Sequence, residues 1–459
     1  MLRATHIAAA LTAIVAFGSP SFARAHEHHD ENIPEGSVIS PDPLDTILWL
    51  HIGGMIASFG IIFPIGMVLG IVRNRWHVPT QVVGAVVAIL SWFLGHNHGG
   101  RQFAPNIHAS FASTLMSLLM MQIGVGVYLK LHMEKGIHGK VRKKVVLLHG
   151  MLGIVMPVVA WVQMLFGGIT ALGFCRDSHT GNCLAHFIMG SSFIGYGTIM
   201  ILLTLQGQCW LRSTGKSQEF WDSLVITCWG IINTFTEHRW GQHWEHNDIQ
   251  HTSMGIVWWA TGMLGLWLSW SNNGKPRRNV IPGIVIILTG YAMSAHTQHS
   301  PLSGAVHTVF GYTLMAAGLA RVVEIAFVCK DRSYLALEQV SSWQYLSPYL
   351  LFAAGFIFQA ANEEQIALVS SIGIDHVSYI LVLYSLASVM FLFVNILITI
   401  YAKNPAPPLK RPVGGEGTRP NGHARPAEVV DDVQQFELEG LISDSDEERT
   451  VSRSERRSS

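Results

Sequence analysis

Residues 50–81 read LHIGGMIASFGIIFPIGMVLGIVRNRWHVPTQ: a histidine, an apolar run long enough to cross a bilayer, a short basic turn and a second histidine. The pattern recurs, because His108 opens a third apolar run and His149 stands near the start of a fourth. Ile47–Gly173 therefore reads as four consecutive membrane-spanning helices with one histidine near the start of each. In hydrocarbon every backbone amide must be satisfied internally, which makes long apolar runs helical, and about 20 apolar residues suffice for a span. Successive helices run in opposite directions, so His51 and His108 are expected on one face and His77 and His149 on the other. Haem iron accepts neutral imidazole from two facing helices of a bundle, and two bis-histidine haem b groups would need such pairs. A helix of about 20 residues separates its ends by about 30 Å, a gap an electron could cross without carrying a bare ion through hydrocarbon. The plain alternative for any one histidine is a headgroup-layer or hydrogen-bonding role. The cost of an ionisable side chain within a span favours function.

With 49% hydrophobic and 13% charged residues the chain is not a soluble enzyme, and its formal charge of zero names no partner. The start has the form of a secretory signal: Arg3, the apolar run Ile7–Phe17 and the A-x-A-like Ala23-Arg24-Ala25, giving a signal peptide over 1–25. Residues 26–46 would then be a lumenal segment containing His26, His28 and His29. Eleven spans are expected, at about 47–72, 80–97, 108–130, 145–172, 184–206, 222–237, 252–271, 280–297, 304–328, 345–361 and 377–401. Starting from a lumenal N-terminus, the expected cytoplasmic loops carry Arg73/Arg75, Lys130–Lys144, Arg212/Lys216, Lys275–Arg278 and Lys330/Arg332, whereas the alternate loops carry only Arg101, Arg176 and Arg239. This asymmetry supports both the count and the direction. Cys175 and Cys183 share one loop, where an oxidising lumen would permit a disulfide. From Lys403 the composition turns to Pro, Gly and charge, so 403–459 is expected to be a disordered cytoplasmic tail. Within it Glu437-Leu438-Glu439-Gly440-Leu441-Ile442 fits an acidic dileucine signal for sorting adaptors, or an ordinary tail.

The run at 50–81, with IHASFASTLMSLLMMQIGVGVYL at 107–129 and VRKKVVLLHGMLGIVMPVVAWVQMLFG at 141–167, resembles the four core helices of cytochrome b561-type transmembrane electron carriers. That resemblance implies the same pairing, His51 with His108 and His77 with His149, and a b561-like bundle over 47–206. His51 and His77 are only 26 positions apart, which places His77 in the turn rather than inside the second helix. His96 and His98 could replace a ligand or bind a metal. Arg73, Arg75 and Lys140–Lys144 would draw an anionic reductant such as ascorbate, or else only set topology. A longer likeness covers about Asp42 to Tyr401. FPIGMVLG, RWHVP, GHNHGGRQFA, HRWGQHWEHNDIQHTSMG and AHTQHSPLSGAVHTVFGY are similar to segments of the fungal Ytp-type (yeast putative transmembrane) family, a resemblance that implies a polytopic membrane protein and little about chemistry.

The second half, 207–402, is expected to be a second, histidine-rich bundle. Residues three or four apart share a helix face, which makes His243/His246, Asp248/His251 and His296/His299 candidate pairs. Imidazole with carboxylate suits a transition metal such as zinc, copper, iron or nickel. The bland reading is a headgroup belt built with Trp240, Trp244, Trp258 and Trp259. Glu363 and Glu364 are candidate partners, and Arg321 with Glu324, one turn apart, are expected to form an ion pair inside a span. Met116, Met120, Met121, Met151, Met156 and Met164 read as packing before they read as a copper ladder. No phosphate-binding glycine loop, nucleophile elbow or nucleic-acid patch is visible. The sequence thus points to an all-α, polytopic integral membrane protein of the secretory and endomembrane system. Two functions stand open: transmembrane electron transfer to a lumenal acceptor such as a metal ion, with ferric or cupric reductase chemistry, and a haem-free metal-binding transporter or sensor.

Overall fold

Helix starts are written in short polar side chains. Asp45, Asn106, Ser217, Ser300 and Asn362 each accept a hydrogen bond from the backbone N–H three residues on, at Leu48, Ala109, Phe220, Ser303 and Gln365, satisfying a donor the first turn leaves open. The computed structural model describes residues 33–403 apart from 133–134, 239–240, 242, 271–275, 296–297, 299 and 330–339. The expected signal peptide, His26, His28, His29, Trp240, His296, His299 and the tail from residue 404 with its dileucine-like motif lie outside the described residues.

Thirteen helices follow in order among the described residues. They are α1 (Thr46–Ile71), α2 (His77–His96), α3 (Ile107–Lys130), α4 (Ile137–Leu172), α5 (Thr180–Leu205), α6 (Gln208–Thr214), α7 (Gln218–Thr236), α8 (His246–Ser269), α9 (Ile281–Ser294), α10 (Pro301–Val328), α11 (Trp343–Gln359), α12 (Glu363–Ser371) and α13 (His376–Lys403). No strand occurs among the described residues; two isolated bridges, Ile39 with Phe103 and Leu44 with Gly100, tie the segment before α1 to the α2–α3 loop. Among the described residues seven stretches are long and apolar enough to cross a membrane, namely α1 to α4, α5 with the turn before it, α10 and α13. The remaining expected spans fall on α7, α8, α9 and α11, of which α9 and α11 are short.

Two helix starts differ from expectation. His77 is the first residue of α2, not part of the turn, because Pro79 in the first turn needs no N–H partner and His77 N donates to Asn74 O. Helix α4 begins at Ile137, two turns earlier than its apolar run, so His149 lies well inside it. Within α1, residues Ile56–Ile62 form a π-helical turn just ahead of Pro64. Proline removes one ladder bond and crowds the preceding turn, and the widened turn places Phe59 and Phe63 in the core with Leu115, Leu119, Val155 and Val159.

Helices α1 to α4 form the first bundle, with α1 against α2 and α3 against α4. The second bundle pairs α7 with α8 and α9 with α10, and sets α11 between α5 and α10. Small residues allow these approaches, as lipid-embedded helices require. A Cβ on Gly290 would stand 2.6 Å from Gly311 O, and one on Gly190 2.6 Å from Gly355 O. The sequence boundary at 206 groups α5 with the first bundle, yet its glycine face lies on α11. A hydrogen bond of 3.0 Å from Trp161 Nε1 to Ser191 Oγ joins α4 to α5 and so links the bundles.

Candidate functional site

The four histidines His51, His77, His108 and His149 of the first bundle come together in two pairs. His51 and His108 have ring centroids 6.3 Å apart at an interplanar angle of 82°. His77 and His149 stand 6.2 Å apart at 84°. This is the pairing that antiparallel threading requires. The carbonyl that holds His77 belongs to Gly66, fifteen positions beyond His51 on α1, so the pairs lie about 22 Å apart along the bundle at 1.5 Å per residue.

Three of the four rings have a seat made of glycine and backbone. His51 Nδ1 lies 2.7 Å from Ser91 O, and a Cβ on Gly95 would come within 2.5 Å of the same nitrogen. His77 Nδ1 lies 2.7 Å from Gly66 O, with Gly70 leaving the room beside it. His108 Nδ1 faces both the backbone carbonyl of Gln163 at 3.2 Å and its side-chain amide at 2.9 Å, next to Gly167. His149 lies beside Gly126, and its buried Nδ1 has no hydrogen-bond partner among the described residues. An imidazole whose Nδ1–H donates to a carbonyl, as at His51 and His77, is fixed in the tautomer that leaves a lone pair on Nε2, the arrangement of a metal-ligating histidine; at His108 the Gln163 carbonyl selects that tautomer and the Gln163 amide N–H the other. The spacing fits as well. With metal–nitrogen bonds of about 2.0 Å, two imidazoles on opposite sides of one metal have centroids about 6.2 Å apart. The donor set and separation thus suit an axially coordinated metal, as in bis-histidine haem.

His96 is exposed, its ring tilted against Trp92 at 4.1 Å and its Nδ1 2.9 Å from Trp92 O, while His98 lies edge-on to Phe103 with Nδ1 3.1 Å from Gly99 O; the ring that meets His108 is that of His51. At the opposite end, Arg73, Arg75, Lys140 and Lys144 are exposed beside the His77–His149 pair, while Arg142 is buried and donates to Leu129 O.

The candidates of the second half are arranged differently from their helical spacing. His243 and His246 are exposed, and α8 starts only at His246. Asp248 bonds His238 at 2.9 Å, and His251 meets Glu237 at 3.2 Å. His243, His246, Asp248 and His251 are therefore not gathered on one ion, because the carboxylates and imidazoles pair across the α7–α8 connection. Trp244 stacks on His238 at 3.8 Å, and Trp258 is buried and donates to Thr289 Oγ1, so neither serves as a simple headgroup anchor. Glu364 accepts from Cys175 N at 2.7 Å and Glu363 lies 3.3 Å from His179. Both glutamates thus brace the loop closed by the Cys175–Cys183 disulfide. Among the described residues these two cysteines with Glu364 are the one group of three with metal-ligand atoms close together, and the disulfide removes both thiolates from that role.

Arg321 bonds Glu324 at 2.8 Å as expected, and sequence reasoning missed the third member, Glu219, whose Oε1 lies 2.9 Å from Arg321 Nη2 and 3.3 Å from Arg278 Nη1. It also missed His186, an isolated histidine in an apolar run. His186 and His307 form a third pair, 5.8 Å apart at 89°. No local signal could have joined two residues so distant in sequence.

Residues 159–402 match the family described as Protein YTP1-like, C-terminal, and residues 31–132 match a domain of unknown function, DUF2427. The chain belongs to the YTP1-like family. It is 42% identical over 262 residues to Protein YTP1 of Saccharomyces cerevisiae, covering 56% of this chain and 55% of that protein. It is also 23% identical over 278 residues to an uncharacterized membrane protein of Schizosaccharomyces pombe, covering 51% of this chain and 54% of the relative. The chain spans about half the length of these relatives. No solved structure matches it. Helix content, apolar spans and relatives named as membrane proteins together make this YTP1-like chain an all-α polytopic membrane protein.

Proposed function

We propose that the chain is a transmembrane electron carrier whose two histidine pairs each hold a b-type haem. The observation that carries this reading is the pair of crossed imidazole couples, 6.3 and 6.2 Å between centroids, at two levels of one four-helix bundle. Bound there, haem b supplies reversible one-electron exchange.

The protein's own part is placement. Ser91 O and Gly66 O turn His51 and His77 so that Nε2 would be the coordinating nitrogen, and Gln163 Nε2 donates to His108 O at 2.9 Å, tying the start of α3 to α4. Phe59 and Phe63, on α1 between the two levels, fill the middle of the bundle with buried aromatic surface and keep water from bridging it. The exposed Arg73, Arg75, Lys140 and Lys144 form a basic rim beside the His77–His149 pair. Such a rim raises the local concentration of an anionic reductant such as ascorbate, and the acceptor on the His51–His108 face is an oxidised species such as a metal ion.

A reduced-minus-oxidised spectrum of the purified protein tests this. A b-type band of two haems per chain supports it, and no band in protein that still unfolds cooperatively removes it.

A further inference from the structure

We propose that the second bundle contains a Cu(I)-binding site, built on His186 of α5 and His307 of α10. This site stands whether or not haem is found in the first bundle.

Both imidazoles are buried, at 8% and 5% relative exposure, where an unsatisfied polar atom is costly. His186 Nδ1 lies 2.8 Å from Asn182 O, and His307 Nδ1 lies 2.9 Å from Ser303 O. Donation from Nδ1–H to these carbonyls leaves the lone pair of each ring on Nε2. His186 Nε2 has no hydrogen-bond partner among the described residues. Phe358 stacks on the His186 ring at 4.6 Å and holds its plane at a near right angle to His307. The centroid separation of 5.8 Å lies inside the limit of about 6.2 Å for two imidazoles sharing one ion with bonds of about 2.0 Å.

The surroundings choose the ion. The two histidines line a cavity of about 310 Å³ together with Met189, Met254 and Met293, three thioethers from α5, α8 and α9. Glu237, His251 and Glu363 also line this cavity, and each carboxylate faces another imidazole, Glu237 that of His251 at 3.2 Å and Glu363 that of His179 at 3.3 Å. Neutral imidazole and thioether, with no carboxylate oxygen grouped with the two rings among the described residues, favour a soft monovalent cation over hard divalent ones, and Cu(I) needs only two or three such donors. A single positive charge is also the least costly to bury among apolar helices.

The experiment is a Cu(I) competition titration of the detergent-purified full chain against a chromophoric Cu(I) chelator, with the exposed Cys209 and Cys228 alkylated. One Cu(I) per chain is expected, at least tenfold weaker in Met189→Leu/Met254→Leu and abolished in His186→Gln/His307→Gln. The exposed-site control His243→Gln should bind as the parent does. X-ray absorption of the copper-loaded parent is the second measurement, needed if the double histidine variant does not fold. Imidazole nitrogen with thioether sulfur around copper supports the site; a thiolate-only shell or no bound copper overturns it. A b-type absorbance lost on substituting His186 would assign the pair to a porphyrin and equally overturn it.

Discussion

The two bundles treat their polar side chains in opposite ways. In α10 of the second bundle, 56% of the most apolar stretch is buried, against 11% in α3 of the first. Within that dense interior Arg321 pairs with Glu219 and Glu324, and Arg278 reaches Glu219 from the edge, while Arg321 Nε and Glu219 Oε2 stay without a hydrogen-bond partner among the described residues. In the first bundle three of the four histidines have Nδ1 engaged and none is matched to a charged partner within the bundle. In the ion network each charge is balanced by an opposite charge of the protein itself. A ring held by one nitrogen keeps the other for coordination. The difference separates structural polarity from binding polarity, and it places His186 and His307, buried at the wall of a cavity in the second bundle, with the histidines of the first bundle.

The comparison breaks first at the rings themselves. Either His108→Ala or His149→Ala should lower bound haem from two per chain to one, with the cooperative unfolding transition retained; loss of both haems together in each single variant would mean that the pairs are not separate sites. The next largest effect belongs to the second bundle. Glu219→Gln withdraws a carboxylate from two arginines while Arg321 stays buried, and stranding a buried charge costs about 3–5 kcal/mol. Because Glu324 still pairs with Arg321, the lower end, about 3 kcal/mol, is expected. The readout is the thermal midpoint in detergent, which should fall with haem content unchanged.

What the sequence made legible follows the same division. The histidine pairs of α1 to α4 could be read because only threading direction was needed to bring His51 to His108 and His77 to His149. The level of each histidine within its helix was less legible. Apolar length places the start of α4 at about residue 145, but the polar turn Ile137–Lys144 continues the helix outside the apolar stretch. In the second half, the i and i+3 spacing of His243, His246, Asp248 and His251 presumed one continuous helical face. The chain instead folds back between α7 and α8, and Glu237 and His238 capture the partners that spacing would have grouped. Glu219 with Arg321, and His186 with His307, are contacts between distant helices chosen by packing. Hydropathy carries no record of such choices.

Glycine seats sharpen the contrast within the first bundle. At Gly95 an added methyl would stand 2.5 Å from His51 Nδ1, and at Gly70 2.7 Å from His77 Nδ1, whereas at Gly126 the nearest ring atom of His149 is 3.5 Å away. Overpacking of the first kind costs about 1–3 kcal/mol and pushes the ring off its carbonyl. Gly95→Ala and Gly70→Ala should each deplete haem at one pair, while Gly126→Ala leaves both pairs filled. Equal behaviour of the three variants, measured as haem per chain, would show that the ring seats do not set occupancy.

The smallest expected effect comes from Asp45, which caps α1 and ties it to the loop leaving α2. Its carboxylate accepts from Leu48 N and from Gly99 N, each at 2.8 Å. The Leu48 N–H, followed by the Gly99 N–H, holds the Asp45 carboxyl below its ordinary value of 3.8. A folded-state value below the unfolded one means that the stabilisation is present above about 3.8 and is lost as pH falls through the lower folded value. Asp45→Asn keeps an acceptor for the cap without the titration. Its thermal midpoint should therefore fall less than the parent's between about pH 5 and about pH 2. Because the restrained loop follows directly on the helix end that carries Ser91 and Gly95, haem retention at the His51–His108 pair should follow the same acid limb, and retention at the His77–His149 pair should not. Parallel loss at both pairs would place the acid sensitivity elsewhere and detach Asp45 from the site it adjoins.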